Sequence, residues 1–195
     1  MVGLRTASAV LVPPYSFSIA DRVRTIQRTQ AIRSLGFRHD MSSGAPICRW
    51  IVDDILVDLM PTSGEILGFS NLWYEAAMET ATWTSLQSGE GVRVISSALF
   101  LATKLTAFHS RGQGDYRMSS DIDDIIAVVD GRAELCSEVS DAQTEVRIYI
   151  ATEFTQLLNT NYFVESIDAH LSSDAASQSR ITIVMERMGR IASLK

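Results

Sequence analysis

Residues 102–132 constrain the fold of this chain most strongly, because two helical patterns with complementary charges meet there at a glycine-containing joint. In the first pattern, Lys104 and Arg111 lie on one stripe of a predicted helix, and apolar residues form a second, buried stripe. The second pattern follows a pair of serines that suit a helix N-cap, and it places Asp121 and Asp124 one turn apart. A hairpin of these helices would bring the basic stripe close to the aspartate pair.

Such an arrangement suits the binding of a polyphosphate and its metal ion, but the same residues also have structural explanations. Lysine and arginine on one helix stripe commonly form a solvated face. Aspartates in a first turn commonly stabilise a helix through its dipole. The residues alone therefore leave both interpretations open. Other acidic residues of the stretch, Asp115, Asp123 and Asp130, are predicted to be surface or capping residues.

The composition limits the class of protein. The 195 residues are 46% hydrophobic and 21% charged, which predicts one folded domain with a substantial core. A formal net charge of −6 argues against a broad surface that coats nucleic acid. Cys48 and Cys136 lack the spacing of a zinc site or a disulfide framework, so we expect reduced thiols and a cytoplasmic protein. No apolar run approaches the roughly 20 residues that span a bilayer.

Two strands are predicted at residues 47–52 and 55–60, around a tight turn at Asp53 and Asp54. Asp58 interrupts the apolar second strand. A carboxylate there must face water at the end of the sheet, accept hydrogen bonds or hold a cation, since burying it unpaired is unfavourable.

Helical patterns dominate the rest of the chain. The spacing of apolar residues predicts helices at 19–35, 141–158, 162–171 and 176–192, together with the two helices of residues 102–132, and a short strand at 92–95. A sheet in the first half and helices in the second half indicate an α+β fold.

Four segments carry a resemblance to a known family: LGFRHD, CRWIVDDILVDLMP, GFSNLWY and ATKLTAFHSRGQGDYRMSSDIDDIIAVVDGR. Together they resemble the AbiEii/AbiGii toxin family of nucleotidyltransferases, within the DNA polymerase beta-like superfamily. The resemblance implies three regions: an atypical N-terminal segment at 1–34, a nucleotidyltransferase-like core with a small mixed sheet at 35–132, and a helical C-terminal region at 133–195.

The resemblance implies transfer of a nucleoside monophosphate from an NTP to a hydroxyl of an RNA, such as a tRNA 3′ end, or of a protein, with Mg²⁺ as cofactor. Asp58 would bind the metal or help to accept the proton of the attacking hydroxyl. Lys104, with Arg111 further along its stripe, would bind the phosphates. Asp121 and Asp124 would orient the lysine, the nucleotide or the ligands around the metal. An antitoxin protein would be the partner.

The chain departs from the family upstream of residue 35. Family members carry a glycine-rich turn followed by a paired Asp-x-Asp that holds the metal ions, and no such segment precedes Leu35. The alternative expectation is therefore a catalytically inactive, truncated member that acts as a nucleotide-binding or protein-interaction module. A core without its usual first strands would also expose a sheet edge, which favours a homo-oligomer.

Overall fold

The computed structural model describes residues 5–6, 30–46, 48–59, 71–89, 91–112 and 114–194. Their packing divides the chain into two compact units, Met1–Ser70 (unit 1) and Asn71–Lys195 (unit 2). The architecture is α+β, as predicted, with a sheet in unit 1 and mainly helices in unit 2. The division falls inside the predicted core of 35–132, because the helices of residues 102–132 share their apolar core with the C-terminal helices.

Unit 1 contains a four-stranded mixed sheet. Its strands are β1 (Arg5–Thr6), β2 (Arg38–His39), β3 (Arg49–Val52) and β4 (Ile55–Asp58). The spatial order is β1-β4-β3-β2, in which β1 runs parallel to β4 and the other neighbours are antiparallel. Residues 30–34 are helical, Leu35 lies in the turn that follows, and residues 19–29 of the predicted helix lie outside the described residues.

The β3–β4 hairpin confirms the predicted pair of strands. Asp53 takes a φ of 48°, a left-handed conformation that aspartate tolerates in a tight turn. The resulting register pairs Trp50 with Val57, and both side chains are buried. It also places Arg49 opposite Asp58.

Unit 2 begins with a short helix and a two-stranded hairpin, which are followed by helices to its end. These elements are α1 (Tyr74–Glu79), β5 (Thr82–Ser85), β6 (Gly91–Val94), α2 (Ser97–Arg111), α3 (Ser120–Gly131), α4 (Leu135–Ser140), α5 (Thr144–Leu158), α6 (Asn161–Val164), a 3-10 helix (Ile167–His170), α7 (Ala175–Gln178) and α8 (Ile181–Ala192).

The core of unit 2 lies between α2, α3, α5 and α8. Each of these helices contributes fully buried apolar side chains to one cluster: Leu101 and Leu105 from α2, Ile122 and Ile125 from α3, Ile150 and Phe154 from α5, and Met188 and Ile191 from α8. The apolar stripes predicted on both helices of residues 102–132 are therefore the buried ones. None of the helices that the structure describes has the length and apolar character that crossing a bilayer requires.

Candidate functional site

The two helices of residues 102–132 form the predicted hairpin. Ser96 caps α2 by accepting a hydrogen bond from the Leu99 backbone N–H, and α3 ends at Gly131. Lys104 lies in the middle of α2, and Arg111 is its last residue. The first turn and a half of α3 carries Asp121 and Asp124. The structure brings these four side chains together, and we call them the α2–α3 network.

Asp121 is the centre of the α2–α3 network. Its side chain is only 2% exposed, and both of its carboxylate oxygens contact basic side chains. Arg111 donates from Nε to Oδ2 at 2.8 Å and from Nη2 to Oδ1 at 2.6 Å, which is the bidentate geometry of a strong ion pair. Lys104 Nζ lies 3.5 Å from Oδ1. The carboxylate therefore holds both cations on one side of the helix pair.

Lys104 links the two aspartates. Its ammonium group also contacts Asp124 Oδ2 and lies 5.6 Å from the centre of the Phe100 ring, within reach of a cation–π interaction. The Lys104 side chain is 18% exposed, whereas Asp124 is 39% and Arg111 is 57% exposed. Two cations and two carboxylates leave the α2–α3 network formally neutral, with a buried half around Asp121 and a solvated half around Arg111 and Asp124.

The connection between α2 and α3, described at residue 112 and at residues 114–119, packs on the C-terminal part of unit 2. Asp115 accepts hydrogen bonds from the backbone N–H groups of Arg117 and Met118, which forms a local turn. The Tyr116 ring packs between Phe108 and Phe163, with centroid distances of 5.1 and 6.0 Å. These contacts hold the connection against α2 and α6.

Asp58 lies in unit 1, where it pairs with Arg49 on the neighbouring strand. Arg49 donates from Nε to Oδ1 and from Nη2 to Oδ2, each at 2.8 Å. The hydrogen bond to Asp58 raises the pKa of the Arg49 guanidinium further above its ordinary value. Of the three environments expected for this carboxylate, it therefore has the hydrogen-bonded one, and its cation is an arginine.

The described residues contain no preassembled Mg²⁺ site. Among them, no three His, Cys, Asp or Glu side chains lie together as metal ligands would. Mg²⁺ needs near-octahedral oxygen ligands, usually one or two carboxylates with water. The carboxylate of Asp58 is occupied by Arg49, and that of Asp121 by Arg111 and Lys104. Asp58 as a metal ligand therefore remains a prediction.

Two partners that shape these sites were not identified from sequence. Arg49 could have been found, because a two-residue turn at Asp53 and Asp54 pairs position 49 with position 58. No sequence pattern indicated His170, because it lies 47 residues from Asp123, whose carboxylate it contacts. Asp123, which was predicted to be a surface or capping residue, therefore has a specific partner. Asp130 also has one, Arg180.

Comparisons with known proteins add no family to this geometry. No protein-family model matches the chain, and no curated protein or solved structure matches it. The resemblance to nucleotidyltransferases consequently remains an interpretation of sequence motifs.

Proposed function

We propose that the chain is a nucleotide-binding module of nucleotidyltransferase type, which holds the phosphates of a nucleotide at the α2–α3 network and does not transfer them. The observation that carries the proposal is the pairing of Lys104 and Arg111 with the buried carboxylate of Asp121. This pairing orients both cations in advance while most of the Arg111 side chain stays in solvent. Preorganised cations of this kind suit a polyanion, because their side chains lose little further conformational entropy when it binds.

Asp124 supplies the exchangeable contact. Its pair with Lys104 is partly exposed, and such pairs contribute only about 0–1 kcal/mol to stability. An incoming phosphate can replace Asp124 beside Lys104, since the displaced carboxylate regains water. Asp121 cannot leave in the same way, because it is buried, and it keeps both cations in place.

Three observations favour binding without transfer. Nucleotidyl transfer by two metal ions needs shared acidic ligands. Within the described residues no acidic trio lies together, and the carboxylate of Asp58 is paired in bidentate fashion with Arg49. The sequence likewise has no Asp-x-Asp upstream of Leu35.

Calorimetry with ATP and with inorganic triphosphate tests the binding proposal. Lys104→Ala and Arg111→Ala should each weaken binding about tenfold, the equivalent of one charge-assisted contact. Arg132→Ala is the matched control, since Arg132 is also a half-exposed arginine that pairs in bidentate fashion, with Glu138. Its binding should equal that of the wild type. Equal affinities for all three variants, or no binding by the wild type, would contradict the proposal.

The second candidate function is nucleotidyl transfer itself, to an RNA or a protein hydroxyl, in a Mg²⁺-dependent toxin with an antitoxin partner. The contact of Lys104 with both Asp121 and Asp124 supports it, because this is the relation that the family resemblance implies. Incubation of the full chain with Mg²⁺, α-labelled NTPs and total RNA separates the two candidates. Label transfer that is lost in Asp58→Asn would establish the enzyme. Binding without transfer would establish the module.

A further inference from the structure

His170 ends the 3-10 helix and is fully buried as a side chain. Its Nε2 lies 2.7 Å from the backbone carbonyl oxygen of Tyr116, and its Nδ1 contacts Oδ1 of Asp123. A carbonyl oxygen and an ionised carboxylate both accept hydrogen bonds. A neutral imidazole carries a single N–H, so only the doubly protonated imidazolium can donate to both partners. The geometry therefore fits a charged ring.

The ring joins three segments: the first turn of α3, the α2–α3 connection and the 3-10 helix. Asp123 belongs to the first turn of α3, between the two aspartates of the network. Tyr116 belongs to the connection that follows Arg111. Arg117, the next residue, donates to Asp168 on the 3-10 helix at 3.1 and 3.3 Å, and so attaches the same connection a second time.

We propose that His170 is a positioning residue for the phosphate site: its imidazolium attaches the first turn of α3 and the α2–α3 connection to the 3-10 helix, and thereby keeps Arg111 and Asp121 in register. The ligand in this inference rests on the proposed function, whereas the attachment rests on the contacts alone. His170 acts on the α2–α3 network through Asp123 and Tyr116.

The charged groups around His170 determine the direction of the pH effect. They are Asp123 on α3, Arg117 in the connection and Asp168 on the same 3-10 helix, and the last two are paired with each other. Asp123 is therefore the carboxylate that pairs with the His170 ring. When the ring loses a proton, one N–H remains, and either Tyr116 or Asp123 loses its donor. Both the attachment and phosphate binding should therefore weaken as the pH rises and the ring loses its second proton.

Nuclear magnetic resonance of the full chain tests the attachment directly. At pH 6, His170 should show proton signals on both ring nitrogens, assigned by their loss in His170→Asn. Hydrogen-exchange protection of the backbone amides at 114–124, corrected for intrinsic rates, should decrease with rising pH in the wild type and should be low and flat in His170→Asn. His109→Asn is the matched control, because the His109 ring also pairs with a carboxylate, that of Glu153 on α5. A single ring N–H at pH 6, or equal protection in His170→Asn, would overturn the proposal.

Calorimetry with inorganic triphosphate tests the positioning role. The wild type and His109→Asn should lose affinity in parallel as the pH rises, whereas His170→Asn should bind about tenfold more weakly at pH 6 and show a flatter pH profile. Identical profiles for His170→Asn and the wild type would overturn the role. If the wild type does not bind triphosphate at any pH, the positioning role fails together with the proposed function. The two ring N–H signals, which need no ligand, then show that the failure lies in the ligand and not in the attachment.

Discussion

Asp121 is a buried carboxylate whose replacement tests how far the α2–α3 network stabilises the fold. Asp121→Asn keeps the shape of the side chain but removes its charge, so the bidentate pair with Arg111 and the contact with Lys104 lose their anion. We expect the free energy of unfolding to decrease by about 2 kcal/mol, the scale of lost hydrogen bonds to a charged group. Urea denaturation at pH 7 measures this change.

Asp124→Asn is the control for that measurement. Asp124 pairs with the same lysine, but its carboxylate is partly in water, so the change should be below about 1 kcal/mol. If both variants lost the same free energy of unfolding, the burial of the Asp121 ion pairs would add nothing to their stabilising effect.

Glu138 gives a prediction for the pH dependence of stability. The hydrogen bond from Arg132, with a smaller one from Ser97, lowers the pKa of Glu138 below its ordinary 4.5, although burial opposes the shift. Because the folded-state pKa is depressed, the carboxylate stabilises the fold above about pH 4.5, and this contribution is lost as the pH falls through the lowered pKa. Glu138→Gln should therefore destabilise the protein by about 1 kcal/mol at pH 7 and very little near pH 3.

Thermal unfolding of the wild type and Glu138→Gln across this pH range checks the prediction. Arg132→Gln should show the same loss of pH dependence, since it removes the main cause of the shift. A constant difference between wild type and Glu138→Gln from pH 3 to pH 7 would mean that the charge of Glu138 is irrelevant.

At the scale of residues, local spacing predicted some contacts and missed others. The approach of Lys104 and Arg111 to Asp121 followed from helix periodicity and a short connection, both of which are local properties. The contact between His170 and Asp123 depends on how the 3-10 helix packs on α3, and no periodicity links positions so far apart. The aspartates of α3 look alike in sequence, and only packing assigns each one a partner.

Gly112 shows how closely α2 and the following connection approach each other. A Cβ at this position would lie 2.3 Å from Phe108 Cδ2 and 2.6 Å from the Phe108 carbonyl oxygen. The Phe108 ring is buried against Tyr116 and cannot move freely. Gly112→Ala should therefore lower the free energy of unfolding by about 1–3 kcal/mol through overpacking.

Gly189→Ala is the matched substitution at a helical position where an added Cβ has free space. Gly189 lies inside α8, and a Cβ there meets nothing within 4 Å. The change should raise the free energy of unfolding by about 0.5–1 kcal/mol, because alanine favours a helix interior over glycine. Chemical denaturation of both variants checks the opposite signs, and destabilisation by Gly189→Ala would contradict the open space at that position.

At the scale of elements, the strands β3, β4 and β6 and the positions of most helices were predictable from local patterns, whereas the breaks within two helices and the strand β5 were not. The predicted helix at 176–192 divides into α7 and α8, and the one at 162–171 into α6 and the 3-10 helix. Strand β5 was missed, because its hairpin depends on a long-range anchor: the Arg93 guanidinium donates to the carbonyls of Met78 and Ala81 near the end of α1. Such an anchor has no signature in a local window.

Unit 2 contains a complete hydrophobic core. Every member of its main buried cluster lies between Ala77 and Ile191. A fragment of residues 71–195 should therefore fold alone, since a domain with its own core can do so. Circular dichroism should show a helical spectrum and one cooperative thermal transition. A spectrum of an unfolded chain, or melting without a transition, would contradict the division into two units.

At the scale of the whole molecule, the same fragment separates phosphate binding from transfer, because the α2–α3 network lies wholly in unit 2 and Asp58 lies in unit 1. If the network is the binding site, the folded fragment should bind inorganic triphosphate with a Kd within about threefold of the full chain, a difference below about 1 kcal/mol. If transfer requires Asp58, label transfer should occur only with the full chain. A folded fragment that binds more than about tenfold more weakly would contradict a phosphate site that lies wholly in unit 2.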